Sequence, residues 1–555
     1  MRTSFSLALA AALLAATALV PALGQANRPD KQAREAKKAR DAAWAAVEAK
    51  LKDPNTPIEE AIDTIDAFQD QLDFDTAMKL LGFFDECDMA WSSKRKDKLG
   101  RPIPGQRPVE SYKVAKAILK AVRNMKSADE VLKFEPEVEM RGSHTLRVRT
   151  AMMDAIANNF TDKRCSDLLI TFAKDESRDT DMRILAIFHL RDYPRTVGVI
   201  ETLLLTLRDR SWRVRDASVA ALIPAAEYHE ERVTIALINA LANEQGKLRQ
   251  IVALALDRIH GVSIGVDPDA WIDWYKNKKR DAQGLPAKQN QPGRGTRSIV
   301  FETETFSDRY VFVIDTSISM LKKITPDEME KLKRSITDSP GEQKDLRRPL
   351  DWSKINTKLD LAREEIIRSL EVMDPKVTRF TMVKFDVESA VWKEELVPTD
   401  VKNVIEATDW LRAIKGGNRT NVYGALNAAL DLSEVLAGID VAKRRPKPRE
   451  KDGKVITGPH RDEALPDTLF IYTDGYATNG KYMGGDDRTW AGKSQSEKAT
   501  LYGGIMKYML DELEDRNRIS RITINTIGVG NPQDHTTLGA LARRCGGKYV
   551  PLGYR

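Results

Sequence analysis

Residues 309–319 read RYVFVIDTSIS. The segment 309–317 is a continuous apolar run bounded by charge, the pattern of a central parallel strand buried on both faces. Three later segments read the same way: RFTMVKF (379–385), TLFIYTDG (468–475) and RITINTIGVG (521–530). Helical patterns fill 358–373, 400–413, 421–437, 495–515 and 535–545. This alternation predicts an open, doubly wound, mostly parallel α/β sheet of Rossmann-like design. In such sheets ligands sit outside the carboxyl ends of the strands, where the winding reverses. Chemistry is therefore to be sought there.

Oxygen-bearing residues gather at those ends. The first strand runs into Asp315, Ser317 and Ser319 as D-x-S-x-S, and YTDG puts Asp474 at the tip of a later strand. Between them KGGNRTNVYGAL carries Thr420 on a glycine-led loop that opens a helix. Hard divalent cations take oxygen ligands, and Mg²⁺ does so while retaining waters. Two carboxylates and three hydroxyls suit that ion better than zinc, which prefers nitrogen and sulfur. Each residue also has a structural alternative. Ser319 and Thr420 could be helix caps, and Asp474-Gly475 an ordinary turn. D-x-S-x-S alone is weak; three elements in order, each where a parallel sheet needs it, carry the reading.

Together these residues resemble the von Willebrand factor type A domain and its metal-ion-dependent adhesion site, over about 305–553. The resemblance implies that Ser317, Ser319 and Thr420 coordinate Mg²⁺ through hydroxyls, with Mn²⁺ or Ca²⁺ as alternatives. Asp315 and Asp474 would contribute directly or through water. A remaining position would go to water or to an acidic residue of a protein ligand. Ile318 stands where many members carry glycine. Segments 321–357 and 440–467 read as insertions in a domain spanning 301–555, placed to form a rim around the metal face or to cover it. The second holds KRRPKPREK (443–451), which suits an acidic or anionic partner but reads more simply as a solvated loop.

The N-terminal half has a different period. Residues 30–52 read as one charged helix, and Ile58, Ile62, Ile65 and Phe68 line one face of the next. The region 30–135 is irregularly helical. Within 136–275, LRVRTAMMDAI, DMRILAIFHL, WRVRDASVAAL and KLRQIVALAL each pair an arginine with an apolar stripe. Arg149, Arg183, Arg215 and Arg249 follow one another at 34, 32 and 34 residues. Helix pairs at such a period cannot bury their apolar faces alone and must stack as a solenoid. The stretch DRSWRVRDASVAALIPAA resembles HEAT repeats, which implies a docking scaffold. The arginines are expected to pair with a neighbouring repeat's acid or a helix end. Trp271 and Trp274 cap the last repeat, and 276–300 reads as a basic flexible linker.

Composition bounds the function. The chain has 555 residues, 42% hydrophobic and 31% charged, too long for one core and too apolar for disorder. A net charge of +6 is mild for this length, so nucleic acid is not an expected partner. Cys87, Cys165 and Cys545 lie far apart without a CxxC pair, which argues against a disulfide framework or structural zinc. Arg2, the apolar run Leu7 to Val20 and Ala22-Leu23-Gly24 form the three-part layout of a cleavable signal peptide over 1–24. No later segment reads as membrane-spanning. Export to the periplasm, cell envelope or exterior follows as the expectation. Catalysis is not expected: Ser263 in GVSIG follows a helix rather than a strand, GKS (492–494) lacks its upstream glycine, and His189 and His260 fall on repeat helices. The reading is a non-catalytic, Mg²⁺-dependent binding protein. Its alternatives are a structural envelope scaffold and, further off, an enzyme of unknown class.

Overall fold

The computed structural model describes residues 29–53, 55–84, 87, 109–140, 143–281, 298–300, 303–337, 347–436, 439–440, 445–446, 450–451, 454–455, 465–478, 492–530 and 534–552. The expected signal peptide (1–24), residues 282–297 of the expected linker and most of 443–451 lie outside them. Among the described residues no helix is long and apolar enough to cross a membrane.

The N-terminal half is helical. Helices α1 (Pro29–Lys52), α2 (Ile58–Phe68), α3 (Phe74–Gly82) and α4 (Tyr112–Arg123) lead into two short helices at Ala128–Val131 and Glu135–Glu139. Then come α5 (Leu146–Asn158), α6 (Lys163–Lys174), α7 (Thr180–Leu190), α8 (Val197–Thr206), α9 (Trp212–Asn243), α10 (Gly246–His260) and α11 (Pro268–Asp281). Helix α9 is two helices merged across a kink at His229, whose φ of −137° and ψ of 38° are not helical. Successive helices pack into one apolar cluster that runs from Trp44 to Trp271.

The arginine stripe forms a ladder inside this stack. Arg149 donates to the Val138 carbonyl and, at 2.6 Å, to Asp179, which itself caps α7. Arg183 pairs with Asp209 and donates to the Ala173 carbonyl. Arg215 reaches Glu244 at 2.6 Å and the Asp209 carbonyl at 2.8 Å, and Arg249 reaches the Val266 carbonyl at 3.1 Å. Arg149, Arg183 and Arg215 thus tie their helices to an acid further along the stack, as their recurrence suggested, whereas Arg249 reaches a loop carbonyl just ahead of α11. Trp271 is fully buried and packs near His260 and Trp274. Helix α11 continues to Asp281, so the first six residues of the expected linker are helical. Lys278 and Lys279 hold that last turn by pairing with Glu230 and Glu231.

The C-terminal half is built on β1 (Arg309–Asp315), β2 (Arg379–Phe385), β3 (Ser389–Val391), β4 (Val397–Pro398), β5 (Thr468–Thr473), β6 (Thr523–Val529) and β7 (Tyr549–Leu552). The sheet order is β7-β6-β5-β1-β2-β3, with β4 also on β2. β7, β6, β5, β1 and β2 are parallel; β3 and β4 run antiparallel to β2. The four expected strands are all present; Arg379–Phe385 matches its apolar pattern and the other three end one or two residues earlier. The short strands β3, β4 and β7 were not legible, because two to four residues carry too little periodicity. Helices α12 (Pro326–Thr337), α13 (Lys358–Leu370) and α14 (Val401–Ala413) cover one face, over Tyr310, Phe312 and Ile314. Helices α15 (Val422–Leu436), α16 (Gln495–Ser520) and α17 (His535–Arg544) cover the other, over Val311 and Val313. Alternation along β1 thus feeds two cores, which is why the run reads apolar throughout.

The segment 321–357, expected as an insertion, contributes to the packing where described. α12 comes from it, and Leu332 enters the core beneath the sheet. The chain after α12 is held at Arg347, which pairs with the fully buried Glu365 of α13; Arg368 pairs with the same carboxylate. Around the segment expected as a second insertion (440–467), two-residue strands pair antiparallel, Ile439–Asp440 with Arg445–Pro446 and Glu450–Lys451 with Lys454–Val455.

The helical half grips α16 and the amino-terminal ends of the strands. Arg147 donates to Tyr508 Oη at 2.9 Å, Lys116 pairs with Asp511 at 2.8 Å, and Ile519 joins the helical core. Buried Lys247 donates to the carbonyls of Asp467 (2.7 Å) and Arg521 (2.9 Å), just before β5 and β6. Arg521, in the left-handed region at φ 59°, forks onto Asp216 at 2.9 and 3.0 Å. Those contacts sit at the end of the sheet opposite Asp315.

Candidate metal centre

Parallel register brings the carboxyl ends of β1, β2 and β5 level. Asp315 lies opposite Phe385 on β2, and Ile314 opposite Tyr472 on β5. Thr473 therefore sits beside Asp315 and donates its hydroxyl to Asp315 Oδ2 at 2.6 Å. Asp315 Oδ1 accepts the Ser317 N–H at 2.8 Å, which folds the chain tightly after the strand. Ser317 and Ser319 are left with their hydroxyls 3.0 Å apart.

Thr420 arrives from the far side of the sheet on a loop strapped to both neighbours. The Gly417 N–H donates to the Thr316 carbonyl at 2.7 Å. Thr420 and Thr478 exchange two hydrogen bonds of 2.9 Å each through the Thr420 backbone. A Cβ on Gly417 would lie 1.7 Å from an Asp386 oxygen, so the loop passes where no side chain fits. The cap of α15 is Asn421, whose side chain accepts the Gly424 N–H at 2.8 Å. Thr420 is thereby spared capping duty, and its hydroxyl makes no hydrogen bond among the described residues. Ser317 precedes a short 3₁₀ turn without capping it through its side chain. The alternatives that would have explained these hydroxyls locally are not what the side chains do.

The two carboxylates are deeply buried. Burial pushes the Asp315 carboxyl up to about 7, against the hydrogen bonds from Thr473 and Ser317, and the charge of Asp474 adds to the rise. Asp474 is 4% exposed, and its Oδ1 is buried with no hydrogen-bond partner among the described residues. A buried carboxylate oxygen left bare costs free energy unless something electropositive meets it. Its other oxygen, Oδ2, lies 3.7 Å from Lys358 Nζ. Lys358 opens α13, and burial pulls its ammonium below the ordinary lysine range. It reaches in past Gly530, whose φ is 75° and where a Cβ would lie 2.3 Å from Lys358 Cε.

All five expected residues are thus at one end of the sheet, Asp315, Ser317 and Ser319 in direct contact and Asp474 and Thr420 on adjoining loops. Lys358 was not legible, since only the tertiary path past Gly530 brings it there. The donor set fits a hard cation: two carboxylates, one with an orphaned oxygen, and three hydroxyls not engaged in capping. Among the described residues no three His, Cys, Asp or Glu side chains converge, so the set depends on its hydroxyls. A bound cation would supply a Lewis-acidic position for a ligand carboxylate.

The other motifs are structural. Ser494 of GKS caps α16 in a capping box with Glu497. Ser263 lies 3.5 Å from Asp257, His189 pairs with Asp154 at 2.7 Å, and His260 packs among Trp271, Trp274 and Tyr275. The three cysteines are buried, and none forms a disulfide among the described residues.

The chain is 30% identical over 151 residues to the human von Willebrand factor A domain-containing protein 3B, covering 27% of this chain and 10% of that protein. The C-terminal sheet is that of a von Willebrand factor type A domain. Bovine inter-alpha-trypsin inhibitor heavy chain H4 is 32% identical over 82 residues, 15% of this chain and 9% of its own length. The chain thus spans about a tenth of these curated relatives. Solved structures similar to the type A domain include an aerotolerance-related membrane protein from Bacteroides fragilis at 13% identity and a TM-score of 0.24, covering 44% of this chain and 90% of that one. The von Willebrand factor type A protein from Catenulispora acidiphila has 13% identity and a TM-score of 0.24, covering 45% and 39%. No family model matches the chain.

Proposed function

We propose that this is an exported, non-catalytic binding protein whose type A domain engages an acidic residue of a protein partner through Mg²⁺. Membership of the type A family points to protein interaction or adhesion. The observation that carries the finer reading is the bare, buried Oδ1 of Asp474 at the rim where the Ser317, Ser319 and Thr420 hydroxyls stand free of capping. In this reading Asp315, Ser317, Ser319, Thr420 and Asp474 hold the ion, and Thr473 orients Asp315. Export rests on the layout of residues 1–24. The stacked helices are read as a HEAT-like docking scaffold.

Titration calorimetry of the full chain with Mg²⁺ tests the metal: uptake is expected in the wild type and lost in Asp315→Ala. Partner capture from envelope extract should need Mg²⁺ and fail under chelation. A second reading, in which the helices make the main contact, draws on exposed Val197, Leu205, Ile235 and Leu254 of the helical half. Under it, chelation would lower only the melting temperature and leave capture intact.

A further inference from the structure

The rim around the candidate metal centre is apolar and cationic at once. Ile318, between the two serines, is 62% exposed; Leu321 is 40% and Tyr476, two residues past Asp474, 43% exposed. Large apolar side chains concentrated around one polar point are what a contact surface presents, and tyrosine is favoured in such places. Leu321 lies against Gly416, where an added Cβ would come within 2.1 Å of it, so the loops after β1 and before Thr420 are joined at this rim. Those two loops also carry Lys322, Lys415 and Arg419, all exposed and none with an ion-pair partner among the described residues. Elsewhere most arginines near acids are paired, as along the ladder of the helical half. On the neighbouring loop the Asp386 carboxylate is engaged elsewhere: it accepts the Glu388 N–H and lies against Gly417.

We infer that the rim selects an acidic protein segment in which the metal-binding carboxylate is followed or preceded by a large apolar residue and flanked by further Asp or Glu. The juxtaposition that argues for it is Ile318, Leu321 and Tyr476 beside Lys322, Lys415 and Arg419 around the same ion position. The inference rests on the proposed metal-dependent binding and names the class of partner for it. The apolar side chain would shed water against Ile318 and Tyr476. Meanwhile the three cations, without ion pairs among the described residues, would attract the flanking acids and speed encounter.

The test is selection of short random peptides with a fixed central glutamate, displayed on phage and panned on the full-length protein with and without Mg²⁺. The expected result is Mg²⁺-dependent enrichment of Leu, Ile, Phe or Met next to the glutamate and of Asp or Glu further out. The best synthetic peptide should then bind about tenfold more weakly to Lys322→Glu/Lys415→Glu at low salt, with the difference shrinking at high salt. Tyr476→Ser should weaken it while Mg²⁺ uptake, read by calorimetry, stays as in the wild type. Enrichment of glutamate peptides with no neighbour preference, or with basic neighbours, overturns this inference and leaves the metal-dependent reading standing. Absence of any Mg²⁺-dependent enrichment, with Mg²⁺ uptake intact, overturns both. A peptide equally strong on the charge-reversed variant, with unchanged melting, removes the electrostatic half and with it the acidic partner.

Discussion

At Asp315 and Asp474 two carboxylates share a buried corner whose cation, within the chain itself, is Lys358 at the edge of reach. A lysine ammonium so placed lessens the cost of an unmet carboxylate and at the same time competes with any dication for it. Lys358→Met is therefore expected to raise Mg²⁺ affinity by about tenfold, the scale of a single partly screened charge contact, as read by calorimetry. An unchanged or weaker affinity would mean that the lysine helps hold the site together instead. Asp315→Asn makes the opposite experiment. The buried carboxyl is costly to ionise, so the neutral amide should leave the metal-free melting temperature equal to or above that of the wild type. The same variant should lose the melting shift that Mg²⁺ gives the wild type, which differential scanning calorimetry would detect.

Among the elements, the arginine ladder is the one whose residues were most legible in advance. A recurrence of thirty-odd residues marks Arg149, Arg183, Arg215 and Arg249 as equivalent, and equivalence under stacking demands a partner one pair along. What the recurrence left open was the partner itself, because Asp179, Asp209 and Glu244 become neighbours only once the helices pack. Arg183 and Asp209 are both almost wholly buried. Arg183→Met strands that aspartate and should cost about 3–5 kcal/mol in chemical denaturation of the full chain. The double variant Arg183→Met/Asp209→Leu should recover most of the loss; if it does not, the pair matters less than the space it fills. At the site, α15 and α13 were likewise expected, whereas the cap that Thr420 was offered for is held by its neighbour Asn421. Only coordinates could separate two adjacent residues that both suit the position.

The whole molecule is held by a second kind of contact, between its halves. Lys247 donates to two carbonyls at the amino ends of β5 and β6. Beside it Gly246, at φ 54°, leaves room for the Asp308 carboxylate, 2.9 Å from where a Cβ would stand. Burial and the neighbouring Asp467 push the Asp308 carboxyl up to about 6. The folded chain therefore keeps this proton where an unfolded aspartate, with a pKa of about 3.9, has lost it. Native protein binds the more protons in that window, so this group's contribution to stability falls as pH rises from about 4 to about 6. Asp308→Asn should flatten that part of the stability–pH curve in thermal melts, and an unaltered slope would assign it to other groups. This junction lies at the opposite end of the sheet from Asp315.

Chain order alone was enough for the alternation of strands and helices, the two-sided burial of the central strands, the recurrence of the arginines and the oxygen-bearing residues at the strand ends. Each of those is a local pattern, set by side-chain periodicity or by residue type at a strand end. Folding in three dimensions decided the rest: the lysine behind Asp474, the acids that answer the arginines, the edge strands, and the face on which the halves meet. Those depend on contacts between residues tens to hundreds of positions apart, such as Lys247 with Arg521, and no window along the chain contains both partners.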